Sequence, residues 1–437
     1  MKLYLANLAA VSARVQRPRY DVGSLKCGIV HLGLGAFHRS HQAVFTEDAI
    51  IHSGGDWGIV GVSMHKPDVA DALREQDGLY TFEILRADPA YRVVGTIRRA
   101  VCLPRETRAV LGAMAELRTH VITLTVTENG YDLTNGELDL SHADIVHDMR
   151  EPDAPRTAVG TVVAGLARRH AQGGGPVTVI SCDNLAHNGP RLHKAVLTLA
   201  DRRGKALSDW IDANVAFPES VVDCITPAST SESMARTDHA LGMHDSASVQ
   251  REPFAQWVIE NRFAGPHPDW AAAGAEVVES CADYRRLKLH VLNAAHSALA
   301  YLGLARGHAL VREAAADPDI ARFLEQLVAT EIAPALPGLD VASYWKKTVQ
   351  RFVNPMLDHR LAQIALDGAT KLSERYSPLM IANLKAGRPY ARMASVYAAW
   401  LSYMDREGTP VRGDIDKLSD PVWRIAELRE AIVESAP

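Results

Sequence analysis

The stretch Cys27-Gly-Ile-Val-His-Leu-Gly33-Leu-Gly35-Ala-Phe37-His38-Arg39-Ser-His41 constrains the fold more than any other. A short apolar run flows into two glycines and then into a helix-compatible segment, Gln42 to His52. Strand, tight turn and helix in that order is the setting in which G-x-G-x-x-G marks a dinucleotide-binding turn. Here His38 stands in place of the third glycine. Gly33 and Gly35 still permit a tight turn and close approach of backbone to a pyrophosphate. The helix start after them offers amides and partial positive charge. His38 and Arg39 are expected to add side-chain donors to the phosphates. Taken alone, the incomplete fingerprint also fits an ordinary glycine-rich strand–helix turn.

The segments that follow alternate strand and helix. Gly58 to Ser63 reads as a second parallel strand. In nucleotide-binding sheets an acid near the end of this strand holds the ribose 2′-hydroxyl. This chain has Ser63-Met-His65-Lys66-Pro67-Asp68 instead, which weakens strict NAD selectivity: His65 and Lys66 can tolerate a 2′-phosphate or form a solvated surface loop, so NADP stays open beside NAD. Tyr80 to Leu85 and Arg92 to Leu103 alternate in polarity and predict a hairpin around Asp88-Pro89. Val121 to Thr127 is a strand that runs into a loop, Glu128-Asn-Gly130-Tyr131. Residues 134–155 are polar, with a loop expected around Glu151-Pro-Asp-Ala-Pro155, ahead of a helix from Thr157 to His170. Pro176 to Ser181 is a buried strand ending in Cys182-Asp183-Asn184. Polar groups just past the carboxyl end of a parallel strand lie where such sheets bind ligands. Asn184 is therefore a candidate amide donor, or else a cap for the next helix, Gly189 to Ala200. Asp223, in Val221-Val-Asp-Cys-Ile, can bind substrate or cap a turn.

A Pro/Gly-rich break at 264–269 marks the expected boundary between domains 1–270 and 271–437. Beyond it strand signals nearly vanish. Helices are expected at 283–305, 308–315, 318–331, 341–352, 356–365 and 390–404, with polar interruptions at 351–355 and 367–371. The fold class is thus α/β: a Rossmann-like doubly wound sheet followed by a mostly α-helical domain. Within the first of these helices, Lys288, His296 and Asn293 fall near 0°, 80° and 140° at about 100° per residue, on one broad face. The residues around them are apolar, so Lys288 is expected to lose hydration, fall in pKa and serve as a general base. A solvated helical face is the blander alternative.

The 437 residues carry a formal net charge of -5, with 47% hydrophobic and 23% charged side chains. That balance points away from nucleic acid and membrane surfaces. Five scattered cysteines, with no C-x-x-C pair, indicate neither a zinc knuckle nor a disulfide framework. The first twenty residues lack a long apolar core, and a cytoplasmic location is expected. His38 and His41 at i, i+3 find no third ligand of persuasive spacing, so no metal is expected. No G-x-S-x-G elbow suggests a serine hydrolase.

The two halves have complementary chemistry. Alcohol oxidation needs proton removal from a hydroxyl while donors aimed at the developing alkoxide stabilise it. Lys288 can take the proton, Asn293 and Asn184 can donate amide hydrogens, and His296 can hold a neighbouring hydroxyl. Several stretches resemble the polyol-specific long-chain dehydrogenases, the mannitol dehydrogenase family. They are Gly33-Leu-Gly-Ala-Phe-His38-Arg39-Ser-His41-Gln42, Thr125-Val-Thr-Glu128-Asn-Gly130-Tyr131, Ser181-Cys-Asp-Asn184, Val222-Asp223, Lys288-x4-Asn293-x2-His296, Arg351-Phe-x-Asn-Pro355 and Asp367-Gly-x-x-Lys371-Leu.

The resemblance implies a zinc-independent NAD(P) dehydrogenase. It makes Lys288 the general acid/base, Asn184 and Asn293 the oxyanion donors, and His296 a substrate-positioning residue. Asp223 joins the active site. Coenzyme contacts fall on Gly33, Gly35, Phe37, His38, Arg39, Glu128 and Gly130. The stretch from Arg351 to Arg375 is most similar to the fructuronate reductase (D-mannonate oxidoreductase) branch. The substrate is then a small sugar acid, and Arg360, Lys371 or Arg375 can meet its carboxylate. The chain departs from the pattern at Cys224, where arginine is usual, and at Asn129, where lysine is common. Loss of a charge beside Asp223 leaves a neutral polyol, such as mannitol, as the alternative. The oligomeric state is not legible.

Overall fold

The computed structural model describes residues 1–134, 136–408 and 419–435. They form two compact units, Met1–Cys281 and Ala282–Pro437.

The first unit is built on a six-stranded parallel sheet. Its strands, in chain order, are β1 (Cys27–Leu32), β2 (Gly58–Ser63), β3 (Ile97–Cys102), β4 (Val121–Leu124), β5 (Val177–Ser181) and β6 (Val215–Ala216). Their spatial order is β3-β2-β1-β4-β5-β6. This is the doubly wound order, and its direction reverses between β1 and β4. Alternate strand residues enter different cores, because successive side chains leave opposite faces. Val30, Val60, Ile122 and Val179 pack with Met114, Val162 and Leu166. Ile29, Ile59, Val121 and Ile180 pack with Phe45, Trp257 and Trp270. Burial on both faces explains why these strands read as continuous apolar runs.

Besides the short antiparallel pair Leu133–Thr134 and Glu137–Leu138, two smaller sheets complete the unit. The first joins Val15–Gln16, Ala90–Val94, Tyr80–Ile84 and Val249–Arg251. The second joins Ser220–Asp223, Gln256–Glu260 and Glu276–Val278, a strand beyond residue 270 that the sequence pattern did not announce. The expected hairpin is shorter than its sequence pattern. Tyr80–Ile84 pairs antiparallel with Ala90–Val94, but Ile97–Cys102 leaves to become β3. Gly95 and Thr96 break the run, and Gly95 N–H donates to buried Glu47 at 3.0 Å. The polar stretch 134–155 also holds a helix, Ala143–Arg150.

The second unit is helical, around a core that includes Leu299, Tyr301, Leu324, Trp345, Leu372, Tyr376, Tyr397 and Trp400. The segment read as one helix over 283–305 is interrupted. An α-helix, Ala282–Leu287, gives way to a π-helical turn, Lys288–Asn293, and then to Ala294–Ala305. A second π-helical turn, Val328–Ile332, follows Pro318–Leu327. Val341–Phe352 matches its expected bounds, whereas the helix expected over 356–365 begins only at Leu361. Gly368–Arg375, Ser377–Lys385 and Ala426–Glu434 are helices that apolar spacing alone did not reveal. Asp367, at φ +58°, starts the first of them. A Cβ on Gly368 would lie 2.4 Å from the Tyr301 hydroxyl, so glycine permits the close approach of that helix.

Candidate active site

The first unit assembles its polar groups where the sheet order reverses. After β1 the chain turns through Gly33, whose φ is +100°. A Cβ there would lie 2.0 Å from the Thr125 carbonyl oxygen at the end of β4, so only glycine fits. Gly35 is exposed, and a Cβ on it would meet only Gly33 O, at 3.8 Å. That open cradle, followed by helix α1 (Ala36–Ser40) with no side-chain cap, suits a pyrophosphate approaching backbone amides.

His31, in β1, props this turn, and sequence reasoning had not singled it out. Its Nε2 lies 3.0 Å from Gly33 O and 2.9 Å from Thr125 Oγ1, and Nδ1 lies 2.8 Å from Thr123 Oγ1. A carbonyl oxygen only accepts, which puts the proton on Nε2. The Thr125 hydroxyl donates to Gly33 O at 2.8 Å. Burial drives the His31 imidazole down to about 3, so it is neutral.

The side chains of His38 and Arg39 correct the expectation of phosphate donors. The His38 ring is buried and stacked on His31, with centroids 3.4 Å apart and planes 11° apart. Burial lowers its pKa well below the usual range, so it carries no charge for a phosphate. The Arg39 guanidinium is buried too. It donates to the carbonyls of Gly35 and Ala247 and lies over the Tyr80 ring. Phe37 stacks on His41, at 4.9 Å between centroids. His41 Nε2 pairs with Gln256 O at 2.9 Å, and His38 and His41 serve packing rather than a shared ligand. Among the described residues, no group of three His, Cys, Asp or Glu side chains could hold a metal.

At the end of β5, Asp183 is half-buried and its carboxylate collects three donors. Val126 N–H lies at 3.0 Å, Thr127 N–H at 2.9 Å and the Tyr131 hydroxyl at 2.7 Å. Glu128 and Gly130 lie in the loop so held, a short 3₁₀ turn rather than an irregular loop. Asn184 does not cap the next helix, Asn188–Asp201. Asn188 does the local work instead, and no sequence signal marked it. It is fully buried, and its amide donates to the carbonyls of Ser181, Asp183 and Ser220, which ties the end of β5 to the strand bearing Asp223. Asp223 is buried at the end of that strand. Cys224, next to it, is held neutral by burial, its thiol pushed up to about 12.

In the second unit the π turn gathers the remaining groups. Lys288 and Asn293 are its first and last residues, both half-buried, and His296 stands one turn on. The regular 100° step does not carry through a turn of i→i+5 bonds, so the angles read from the sequence do not describe this face. The imidazole of His296 packs on Phe352 at 4.6 Å and edge-on to His359 at 5.5 Å. Its Nε2 is buried without a partner among the described residues. Burial lowers its pKa well below the usual range, helped by nearby His359, Arg351 and Arg375.

Arg375 buttresses the turn. Its Nη1 donates to Asn293 O at 2.9 Å and Ser297 Oγ at 2.7 Å, while its own carbonyl pairs with His290 Nδ1 at 2.8 Å. Lys371 donates to Ile364 O at 3.2 Å; burial, then the neighbouring Arg375, lower its pKa. Arg360 is exposed and backbone-paired to Leu310, which sets it apart from Lys371 and Arg375 as a carboxylate partner. Phe352 and His359 were visible in the sequence only as letters of a motif.

Residues 27–272 match the mannitol dehydrogenase Rossmann domain and residues 280–436 the mannitol dehydrogenase C-terminal domain. The chain belongs to the mannitol dehydrogenase family. Members of this family are oxidoreductases acting on secondary alcohols of polyols or sugar acids. D-mannonate oxidoreductase of Escherichia coli (strain K12) is 37% identical over 95% of this chain and 87% of its own length. Mannitol 2-dehydrogenase of Phaeosphaeria nodorum is 36% identical over 100% of this chain and 78% of its own. Among solved structures, Pseudomonas fluorescens mannitol 2-dehydrogenase in ternary complex with NAD and D-mannitol has a TM-score of 0.83 and 34% identity, covering 92% of this chain and 84% of that one. No helix among the described residues is long and apolar enough to cross a membrane.

Proposed function

We propose that this member of the mannitol dehydrogenase family is an NAD-dependent sugar-acid oxidoreductase that interconverts D-mannonate and D-fructuronate. The coenzyme reading rests on the Gly33–Gly35 cradle and on the relative solved with NAD. NAD, when bound, supplies the acceptor for the hydride that leaves the carbinol carbon. Lys288 takes the hydroxyl proton and returns it in the reverse direction. Asn293 donates to the oxygen as charge develops on it, and Asn184 keeps the second donor role that the family resemblance implies. His296, neutral and with an Nε2 that has no partner among the described residues, holds a neighbouring hydroxyl.

One observation favours a sugar acid over a neutral polyol. Arg375 is half-buried and spends Nη1 on the π turn, while Nε and Nη2 have no partner among the described residues. A guanidinium that has lost hydration and is ion-paired with no carboxylate among the described residues, Glu374 acting on it only from a distance, is poised for an anionic substrate group. The neutral-polyol reading is supported by the half-buried, uncharged Cys224 beside Asp223 and by the mannitol 2-dehydrogenase relatives. Steady-state turnover of mannonate against mannitol with NAD, and of fructuronate against fructose with NADH, separates the two. Binding of coenzyme without turnover of any of the four would remove both.

A further inference from the structure

We propose that Asp183 is a positioning residue that sets the 125–131 loop and Asn184 together. The inference rests on the proposed coenzyme reading and on the contacts that the family resemblance implies for Glu128 and Gly130 in that loop. Its ground is the geometry around one carboxylate. Oδ2 accepts from Val126 N–H at 3.0 Å and the Tyr131 hydroxyl at 2.7 Å, and Oδ1 accepts from Thr127 N–H at 2.9 Å. Each oxygen is thus committed to the loop that follows β4. The backbone of Asp183 belongs to the end of β5, where its carbonyl accepts from buried Asn188 at 3.1 Å. Asn184 is the next residue.

The clamp holds a backbone that would not rest there unaided. Thr127 has φ +67° and ψ 164°, a region nearly reserved for glycine, and Asp132 has φ +52°. Such residues persist only where their surroundings over-determine them. Two charge-assisted bonds to consecutive amides are of the right size to do so. Tyr131 closes the arrangement, its hydroxyl 2.5 Å from Ser181 Oγ as well as bonded to Asp183. Removing the carboxylate therefore releases the loop bearing Glu128 and Gly130 and at the same time frees the segment bearing Asn184. A residue of purely structural value would alter neither coenzyme affinity nor kcat in the molecules that stay folded.

The test uses the full chain and NADH itself, followed by quenching of tryptophan fluorescence. Asp183→Asn keeps the size but turns an amino group toward at least one of the three donors. It is expected to raise the Kd for NADH and the KM for NAD about tenfold or more, the loss of one or two charge-assisted hydrogen bonds, and to lower kcat at saturating coenzyme. Tyr131→Phe removes one donor only and is expected to shift all three parameters in the same direction by less. Unchanged Kd and kcat in folded D183N would overturn the proposal. If D183N does not fold, unchanged values in Y131F overturn it instead. Failure of the unaltered chain to bind NADH is a different result, and it sinks the coenzyme reading of the whole unit.

Discussion

The two π-helical turns of the helical unit make an instructive pair. In both, an extra residue widens the helix and turns a polar side chain toward the protein interior. At Val328–Ile332 the result is closed. Glu331 is fully buried, and its two oxygens accept from Arg392 N–H at 2.9 Å and Met393 N–H at 3.0 Å. It thereby caps helix Ala391–Arg406, whose own N-cap residue, Tyr390, offers no side-chain bond. The Glu331 carbonyl accepts from Asn383 at 2.8 Å. At Lys288–Asn293 the result is open. The backbone is supported by Arg375 and the Tyr376 hydroxyl, yet His296 Nε2 and two nitrogens of Arg375 lack partners among the described residues. The same distortion therefore serves stability at Glu331, whereas at Lys288–Asn293 it lies beside an imidazole and a guanidinium with nitrogens that lack partners among the described residues.

Four measurements break or sharpen that contrast. Lys288→Ala should lower kcat by about 10²–10⁴-fold, the worth of a general base, while NADH still binds; retained turnover would strike Lys288 from the mechanism. Glu331→Ala should cost about 2–4 kcal/mol, since two buried amides lose a charged acceptor, and calorimetry should show the lower melting temperature. Activity per folded molecule should hold, and a matching fall in kcat would show that the closed turn is not merely structural. Arg375→Met should raise KM for mannonate about tenfold to a hundredfold and leave mannitol kinetics less affected; equal effects on both substrates would make Arg375 a buttress of the turn alone.

The smallest effect concerns pH. His296 is neutral in the fold because burial lowers its pKa below the ordinary 6.5. The stability this represents is complete above pH 6.5 and is lost as pH falls toward the folded value, because the unfolded chain binds the proton first. His296→Asn should flatten the decline in melting temperature between pH 7 and pH 5, and an unaltered slope would assign that decline to other groups.

Much of the architecture was legible because it rests on local pattern. Apolar runs announced four of the six parallel strands, β1, β2, β4 and β5, and Gly33 announced the turn at the head of α1. The Lys288, Asn293 and His296 triplet was visible as residue types at a spacing. Their facing was not, because a π turn is decided by what props its carbonyls, here Arg375 and Tyr376 from some eighty residues away. The same holds for His38 and Arg39. Their charge and position suggested phosphate donors, and only the fold showed them buried against His31 and Tyr80.

By itself, then, the sequence determined four of the parallel strands, several of the helices, the glycine turn and the stock of polar groups, since propensity and periodicity act over a few residues. Tertiary structure decided which of those groups are spent on neighbours and which stay unpaired. Asp183 is fully engaged, Glu331 caps a distant helix, and Arg375 has two nitrogens without partners among the described residues. Desolvation and hydrogen-bond pairing depend on contacts between segments far apart in the chain, and no local pattern encodes them.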